Sequence, residues 1–276
     1  MQTIIIDKID YHGKTNHMKK AKTYVYSSEN DKVTHFKERE ISIDENYKYN
    51  HSNFLYHFFS WFSYYFFAVP FAFVVFRIFK RIKLHNKKAL RNFKNTGYFI
   101  YANHTNQFGD GFCPGLICFP QKPNIIVHPS NISIPLIGKF NKMWGAIPIP
   151  SNLAATKNFY SHIKYVLSKN QPILIYPESE LWPYYTKIRN FSSTSFRYPI
   201  KYNKPIFVFT TVYTKRKLGK RPKIQIYVDG PFYINNTLPE KVAQQAIRDV
   251  VYNKMKERAN LSNYEFVKYI KRSNND

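Results

Sequence analysis

The chain has 276 residues, with 42 Lys and Arg against 17 Asp and Glu, giving a formal net charge of +25 with histidine neutral. Hydrophobic residues make up 44% of it, enough for a sizeable core and too many for a wholly disordered chain. So large a positive excess calls for an anionic partner: nucleic acid, a phospholipid surface or a phosphorylated small molecule. Two cysteines, Cys113 and Cys118, are too few for a disulfide framework or a four-ligand zinc site, and no cleavable secretion signal is apparent. Free thiols inside the cell are therefore expected.

Residues 1–50 are polar and of mixed charge, with a short strand expected at Thr3–Ile6, and read as an N-terminal extension without assignable chemistry. From Phe54 to Phe76 there are 23 residues without a Lys, Arg, Asp or Glu, nine of them Phe. At about 1.5 Å per residue this is enough helix to cross a hydrocarbon core of about 30 Å. Pro70, His57, Ser60 and Ser63 weigh against a simple span and suit a kinked helix or a shallow helical hairpin at the interface. Next come Arg77, Lys80, Arg81, Lys83, Lys87, Lys88, Arg91 and Lys94 without one acid. Residues 51–95 thus read as a membrane-associated segment whose basic flank attracts anionic headgroups and places the following body on the cytoplasmic face.

From residue 96 onward short apolar runs alternate with periodic segments. Strands are predicted at Tyr98–Ala102, Ile125–His128, Ala146–Ile149, Ile173–Tyr176, Ile206–Val212 and Lys223–Val228, and helices at Leu153–Leu167 and Pro239–Met255. The last helix carries a capping-box pattern at Thr237–Glu240 and an apolar stripe through Val242, Ala246, Val250 and Val251. This alternation predicts an α/β domain, a mixed sheet flanked by helices, over residues 96–276. The basic run from Lys215 to Lys223 falls in an exposed connection between two strands.

The acids are distributed unevenly. Eight lie within residues 1–45, and between Glu45 and Glu178 Asp110 stands alone among fifteen Lys and Arg. It follows the strand Tyr98–Ala102 in the segment Asn103-His104-Thr105-Asn106-Gln107-Phe108-Gly109-Asp110-Gly111. A His and an Asp beyond a strand end suit general-base chemistry, the carboxylate fixing the tautomer and stabilising the imidazolium. No enzyme serine is needed when the substrate brings its own hydroxyl. A second cluster, Tyr176-Pro177-Glu178 through Lys187 and Arg189, lies beyond Ile173–Tyr176, at the edge where open α/β sheets hold ligands. Glu178 can orient the site by hydrogen bonds, and Lys187 and Arg189 can hold a phosphate.

These segments resemble the glycerolipid or lysophospholipid acyltransferase family, over about residues 54–230. The likeness lies in a strand ending in Asn103-His104 with Asp110 shortly after, and in Tyr176-Pro177-Glu178 about seventy residues later, downstream of an aromatic membrane segment. Met143–Pro150 and Lys204–Val208 resemble two further family blocks. The resemblance implies an α/β body behind membrane-associated helices and a catalytic dyad of His104 and Asp110. It also implies an acceptor site near Tyr176, Glu178 and Asn103, with Lys187 and Arg189 as candidate phosphate ligands. The expected reaction moves a fatty acyl group from acyl-coenzyme A or acyl carrier protein to a lysophospholipid such as 1-acylglycerol 3-phosphate, without a metal or bound cofactor. Two departures stand out. The dyad spacing is one residue longer than the family's, with Gly109 and Gly111 able to form a bulge, and Ser179-Glu180-Leu181 replaces the family's Gly-Thr-Arg. Two rival readings are a basic nucleic-acid-binding protein using Lys215–Lys223 and the 77–94 cluster, and a non-catalytic lipid-binding relative. No nucleic-acid motif supports the first, so a phospholipid membrane is the expected partner.

Overall fold

Alternating strands and helices build a seven-stranded sheet in the order β2-β8-β7-β3-β6-β4-β5 in the computed structural model, which describes residues 22–34, 41–134 and 137–272. The strand expected at Thr3–Ile6 lies outside the described residues. The strands are β2 (Lys83–His85), β3 (Phe99–Ala102), β4 (Asn124–Val127), β5 (Ala146–Pro148), β6 (Ile173–Ile175), β7 (Ile206–Thr214) and β8 (Lys223–Phe232). Five of them, β7-β3-β6-β4-β5, run parallel, while β8 is antiparallel to β7 and carries β2 beside it. A separate parallel pair, β1 (Thr23–Tyr26) with β9 (Lys268–Lys271), joins the first and last described segments.

All six strands expected from the alternation are present within a few residues; β3, β6 and β7 are short apolar runs buried on both faces, the pattern of a covered parallel sheet, while β8 alternates buried and half-buried positions. In β3 the faces alternate: Phe99 and Tyr101 enter a core with helix α6 (Leu153–Ser168) and helix α8 (Glu240–Ala259). Ile100 and Ala102 enter a second core with helix α3 (Gly109–Cys118) and Phe76. The basic run at Lys215–Lys223 is the β7–β8 connection, as expected.

Two details of α8 differ from expectation. Its inward face is Ala243, Ile247, Val251, Met255 and Ala259, whereas Val242 and Val250 are exposed. The row that meets the sheet is set by how the helix docks on the core and lies one position along from most of the apolar stripe, with Val251 shared by both. The capping box does not form: Pro239 is the cap, without a side-chain bond, and the Thr237 hydroxyl donates to Asn235 Oδ1 at 2.7 Å.

Phe54–Phe79 is one continuous helix of 26 residues rather than a hairpin. Two α-helical stretches, α1 (Phe54–Ser63) and α2 (Val69–Ala72), alternate with wider π turns at Tyr64–Ala68 and Phe73–Phe79. The buried residues Ser60, Tyr64, Ala68, Ala72 and Phe76 recur every fourth position. In an ideal α-helix a four-residue step overshoots a turn by about 40°, so such a row would wander around the helix. The π turns remove that drift and hold the row against the body. The opposite face leaves Phe58, Phe59, Trp61, Phe66, Phe67, Phe71, Phe73 and Ile78 exposed. Ser60, Ala68 and Ala72 therefore let the helix approach the protein closely, with Tyr64 and Phe76 filling the gaps between them, and the outward face is dominated by large aromatic side chains.

The inner row is seated by specific bonds. Ser60 Oγ donates to Met143 O at 2.5 Å, at the end of α5 (Ile137–Met143), Trp144 Nε1 donates to Ser63 Oγ at 3.2 Å, and Tyr65 OH donates to Pro120 O at 2.7 Å. Phe76 and Phe71 meet Phe112 of α3 with ring centroids 6.1 and 5.5 Å away. The helix thus runs antiparallel to α3, and its C-terminal end lies at the edge of the sheet where α3 begins.

Candidate active site

The parallel pair β3 and β6 is in register, with Tyr101 opposite Ile175. The residues that follow them, Asn103-His104 and Tyr176-Pro177-Glu178, consequently emerge side by side at the carboxyl edge. That adjacency is the reason two segments seventy residues apart form one site.

His104 Nδ1 lies 2.8 Å from Asp110 Oδ2. The six-residue spacing is closed by entry into a helix, not by a bulged loop: Asp110 sits in the first turn of α3. Asn106 builds the turn. Its N–H donates to Asp110 Oδ2 at 3.0 Å, its carbonyl accepts from Asp110 N–H at 2.8 Å, and its Oδ1 accepts from Gly109 N–H at 3.3 Å. A Cβ on Gly109 would lie 1.9 Å from Asn106 Nδ2, so this position admits only glycine without rearrangement, while Gly111 faces open space. Neither glycine adopts a positive φ; the close approach, not backbone freedom, explains Gly109.

Tyr176 covers one face of the imidazole, with ring centroids 4.3 Å apart and planes at 23°, and its hydroxyl donates to Asp110 O at 2.6 Å. His104 is held by its edge and its face, and among the described residues its Nε2 has no hydrogen-bond partner. Its side chain is 23% exposed against 8% for Asp110. Burial raises the Asp110 carboxyl above its ordinary value, opposed by the bond from His104 and by backbone N–H groups.

Glu178 ties the two segments together. It is 3% exposed; Oε2 accepts from His104 N–H at 3.0 Å and Oε1 from Arg189 N–H at 2.9 Å. Burial raises its carboxyl as well, with Arg189 acting against the shift. Trp182 N–H to His104 O at 3.0 Å and Tyr184 N–H to Thr105 O at 2.8 Å complete the lacing.

Two of the expected substrate ligands are otherwise engaged. Arg189, expected at a phosphate, is 1% exposed and turned inward. Its NH2 lies 3.5 Å from Glu178 Oε2 and also donates to Glu180 O, NH1 donates to Glu29 O at 2.9 Å, and the guanidinium lies 4.8 Å from the Trp182 ring. Asn103 is likewise committed to β7, giving Nδ2–H to Thr211 O at 3.0 Å and accepting Thr211 N–H at 2.7 Å. Lys187 is exposed on the loop after β6. The described part of the N-terminal extension supports this loop: Trp182 Nε1 donates to Asp31 O at 2.9 Å, and the Trp182 ring stacks on Tyr269 of β9 at 5.0 Å.

Sequence reading missed Asn106, whose signal is an Asn three residues before a Gly at a helix start. It also left Lys80 undistinguished within the basic flank. The Lys80 ammonium lies 4.8 Å from the Phe76 ring and 5.8 Å from that of Phe108, inside the dyad segment. Burial is the largest influence lowering its pKa, with Arg221 of the basic hairpin acting in the same direction. Arg216 of the same hairpin donates to Lys80 O at 2.9 Å. Both cysteines are buried and free, and burial pushes their thiols well up, so neither is a nucleophile.

The arrangement is a His–Asp pair with one imidazole nitrogen open, at the carboxyl edge of a mixed α/β sheet, beside an outward-facing aromatic helix. Residues 81–213, a little under half of the chain, match a family model described as Acyltransferase. The fold is similar to the crystal structure of the 1-acyl-sn-glycerophosphate (LPA) acyltransferase PlsC from Thermotoga maritima, at 14% sequence identity and a TM-score of 0.47. That similarity covers 74% of this chain and 95% of the other. No curated protein matches the chain.

Proposed function

We propose that the protein is an O-acyltransferase working at a membrane surface, moving a fatty acyl group from acyl-coenzyme A or acyl carrier protein to the hydroxyl of a lysophospholipid, most simply 1-acylglycerol 3-phosphate. The observation that carries this reading is the 2.8 Å contact between His104 Nδ1 and Asp110 Oδ2 with Nε2 left open. The acceptor hydroxyl gives its proton to Nε2 as its oxygen attacks the thioester carbon. Asp110 holds the Nδ1 proton and stabilises the imidazolium. Collapse of the tetrahedral intermediate breaks the C–S bond, and the departing thiolate takes the proton back from Nε2. In the N-terminal turn of α3 the Gly109 and Asp110 N–H groups are taken by Asn106, and those of Gly111 and Phe112 are of the kind that stabilise an oxyanion.

Lys80, with Arg216 and Arg221 behind it, is the cation set that suits the acceptor phosphate, in place of the inward-turned Arg189. The long helix supports membrane association. Its inner row rests on the protein from Ser60 to Phe76 and its outer row is aromatic, so it rides in one leaflet with the outer face in lipid instead of crossing the bilayer. The basic flank favours a leaflet rich in anionic headgroups, which supports a site on the cytoplasmic face. The test is acyl transfer to 1-acylglycerol 3-phosphate by membranes carrying wild type or His104→Ala. Activity in the wild type that falls by about 10²–10⁴ in the variant supports the reading; equal activity in both refutes it.

A further inference from the structure

On the flank remote from the dyad, where β4 and β5 begin, a cavity of about 130 Å³ opens between the base of the long helix, α5 and α6. Lys122, Lys142, Lys169, His51, His57 and His162 line it, together with several tyrosines and without one Asp or Glu. Among the described residues none of these lysines makes a salt bridge.

The cavity is positive and lacks an internal counter-ion. Lys122 Nζ donates to Met143 O at 3.2 Å and lies 3.4 Å from Ser60 Oγ, both neutral groups, and burial pushes its pKa down to about 8. His162 is driven down to about 4, by burial first and then by Lys122 and His51. His51 is lowered by burial and by Lys142. Lys142 and Lys169 rest against the rings of Tyr47 and Tyr165, at 4.9 and 5.6 Å. Lys142 and Lys169 are exposed, but the Lys122 ammonium is largely removed from water, and without a carboxylate it is costly unless an anion completes it.

We infer that this cavity is a second, non-catalytic binding site for a phosphate group, held by Lys122, Lys142 and Lys169. Tyr56, His57 and Ser60 of the long helix form one wall, and Phe54, Leu55, Phe58 and Phe59 lie exposed on the same end of the helix. A phosphate carried by a membrane lipid would sit there with its acyl chains beside these side chains; a free phosphate offers the same oxygens. Occupation neutralises the lysines and binds the helix base to the body. The site is independent of the acyl-transfer reaction.

The test reads binding and not turnover. Inorganic phosphate is titrated into the full-length protein while its melting temperature is followed, and binding to phosphatidylcholine vesicles with and without phosphatidic acid is measured in parallel. The variants are Lys122→Met and the double Lys142→Gln/Lys169→Gln, with Lys215→Gln/Lys220→Gln in the β7–β8 hairpin as a control for general surface charge. Far-UV circular dichroism checks each fold, and the double variant carries the test if Lys122→Met does not fold. A saturable rise in melting temperature with phosphate, weakened about tenfold per lysine removed, supports the site with free phosphate as a ligand. Phosphatidic acid-dependent vesicle binding that falls in the cavity variants more than in the hairpin control supports it with a lipid headgroup as the ligand. No phosphate-induced shift in the wild type, together with equal vesicle binding by cavity and hairpin variants, overturns it.

Discussion

Replacing Asp110 by Asn should lower activity and raise stability at neutral pH, and the two effects have separate causes in the structure. Asp110 Oδ2 accepts from His104 Nδ1 and from Asn106 N–H. If the new amide turns its NH2 toward His104, it donates to Nδ1 and moves the ring proton to Nε2, the nitrogen that must take the substrate proton. If it turns its oxygen there, the tautomer survives but the imidazolium loses its counter-charge. The expected loss in kcat/KM is about 10²–10⁴.

Stability moves the other way because burial raises the Asp110 carboxyl above its ordinary value. A raised acid contributes stability that is fully present below its unfolded pKa and is lost as pH rises through its folded pKa. Above its folded pKa the ionised carboxylate is therefore a burden that a neutral amide removes, whereas in acid the two proteins converge. Thermal melts of both proteins between about pH 4 and 7, beside acyl transfer at neutral pH, make the comparison. The expected gap in melting temperature, variant minus wild type, widens with pH. A variant that melts lower at neutral pH and keeps its activity within a few-fold would refute both the dyad and the electrostatic reasoning.

Three further outcomes are expected. Glu178→Ala removes the acceptors of the His104 and Arg189 N–H groups and leaves Arg189 buried without its charge partner, and should cost about 3–5 kcal/mol in urea denaturation. Glu178→Ala/Arg189→Met should cost less than the sum of the two single changes. Lys80→Ala should raise KM for 1-acylglycerol 3-phosphate about tenfold with kcat little changed, as expected for one lost charge-assisted bond, and should leave a phosphate-free acceptor unaffected; steady-state kinetics on the two acceptors checks this. Phe58, Phe67 and Phe71 changed together to Ser should release the protein from vesicles in a flotation assay, since each ring is worth about 1.5–3 kcal/mol when fully buried in lipid. Ala72→Leu on the inner row, only 2% exposed, should instead cost about 1–3 kcal/mol of stability by overpacking while vesicle binding persists.

The sequence by itself determined the features that depend on neighbours along the chain. Short apolar runs located β3, β6 and β7 because a strand buried on both faces needs an unbroken run, and the alternation of polar and apolar residues located β8 because one of its faces is only half-covered. The uncharged aromatic stretch located the long helix, and the isolation of Asp110 near His104 singled out the pair the structure brings into contact. Tertiary structure decided what depends on distant partners. Arg189 was readable as a phosphate ligand until Glu178, Glu29 and Glu180 surrounded it, and Glu29 is 160 positions away along the chain. The inward face of α8 differs by one position from the apolar stripe, since local periodicity says which sides are apolar but not which one meets the sheet. The four-residue row of the long helix needed π turns, which a reading at a fixed 3.6-residue period does not anticipate. The basic cavity brings together His51, Lys122, His162 and Lys169, an anion site that no local motif encodes and only the packing of the long helix on the α/β body assembles.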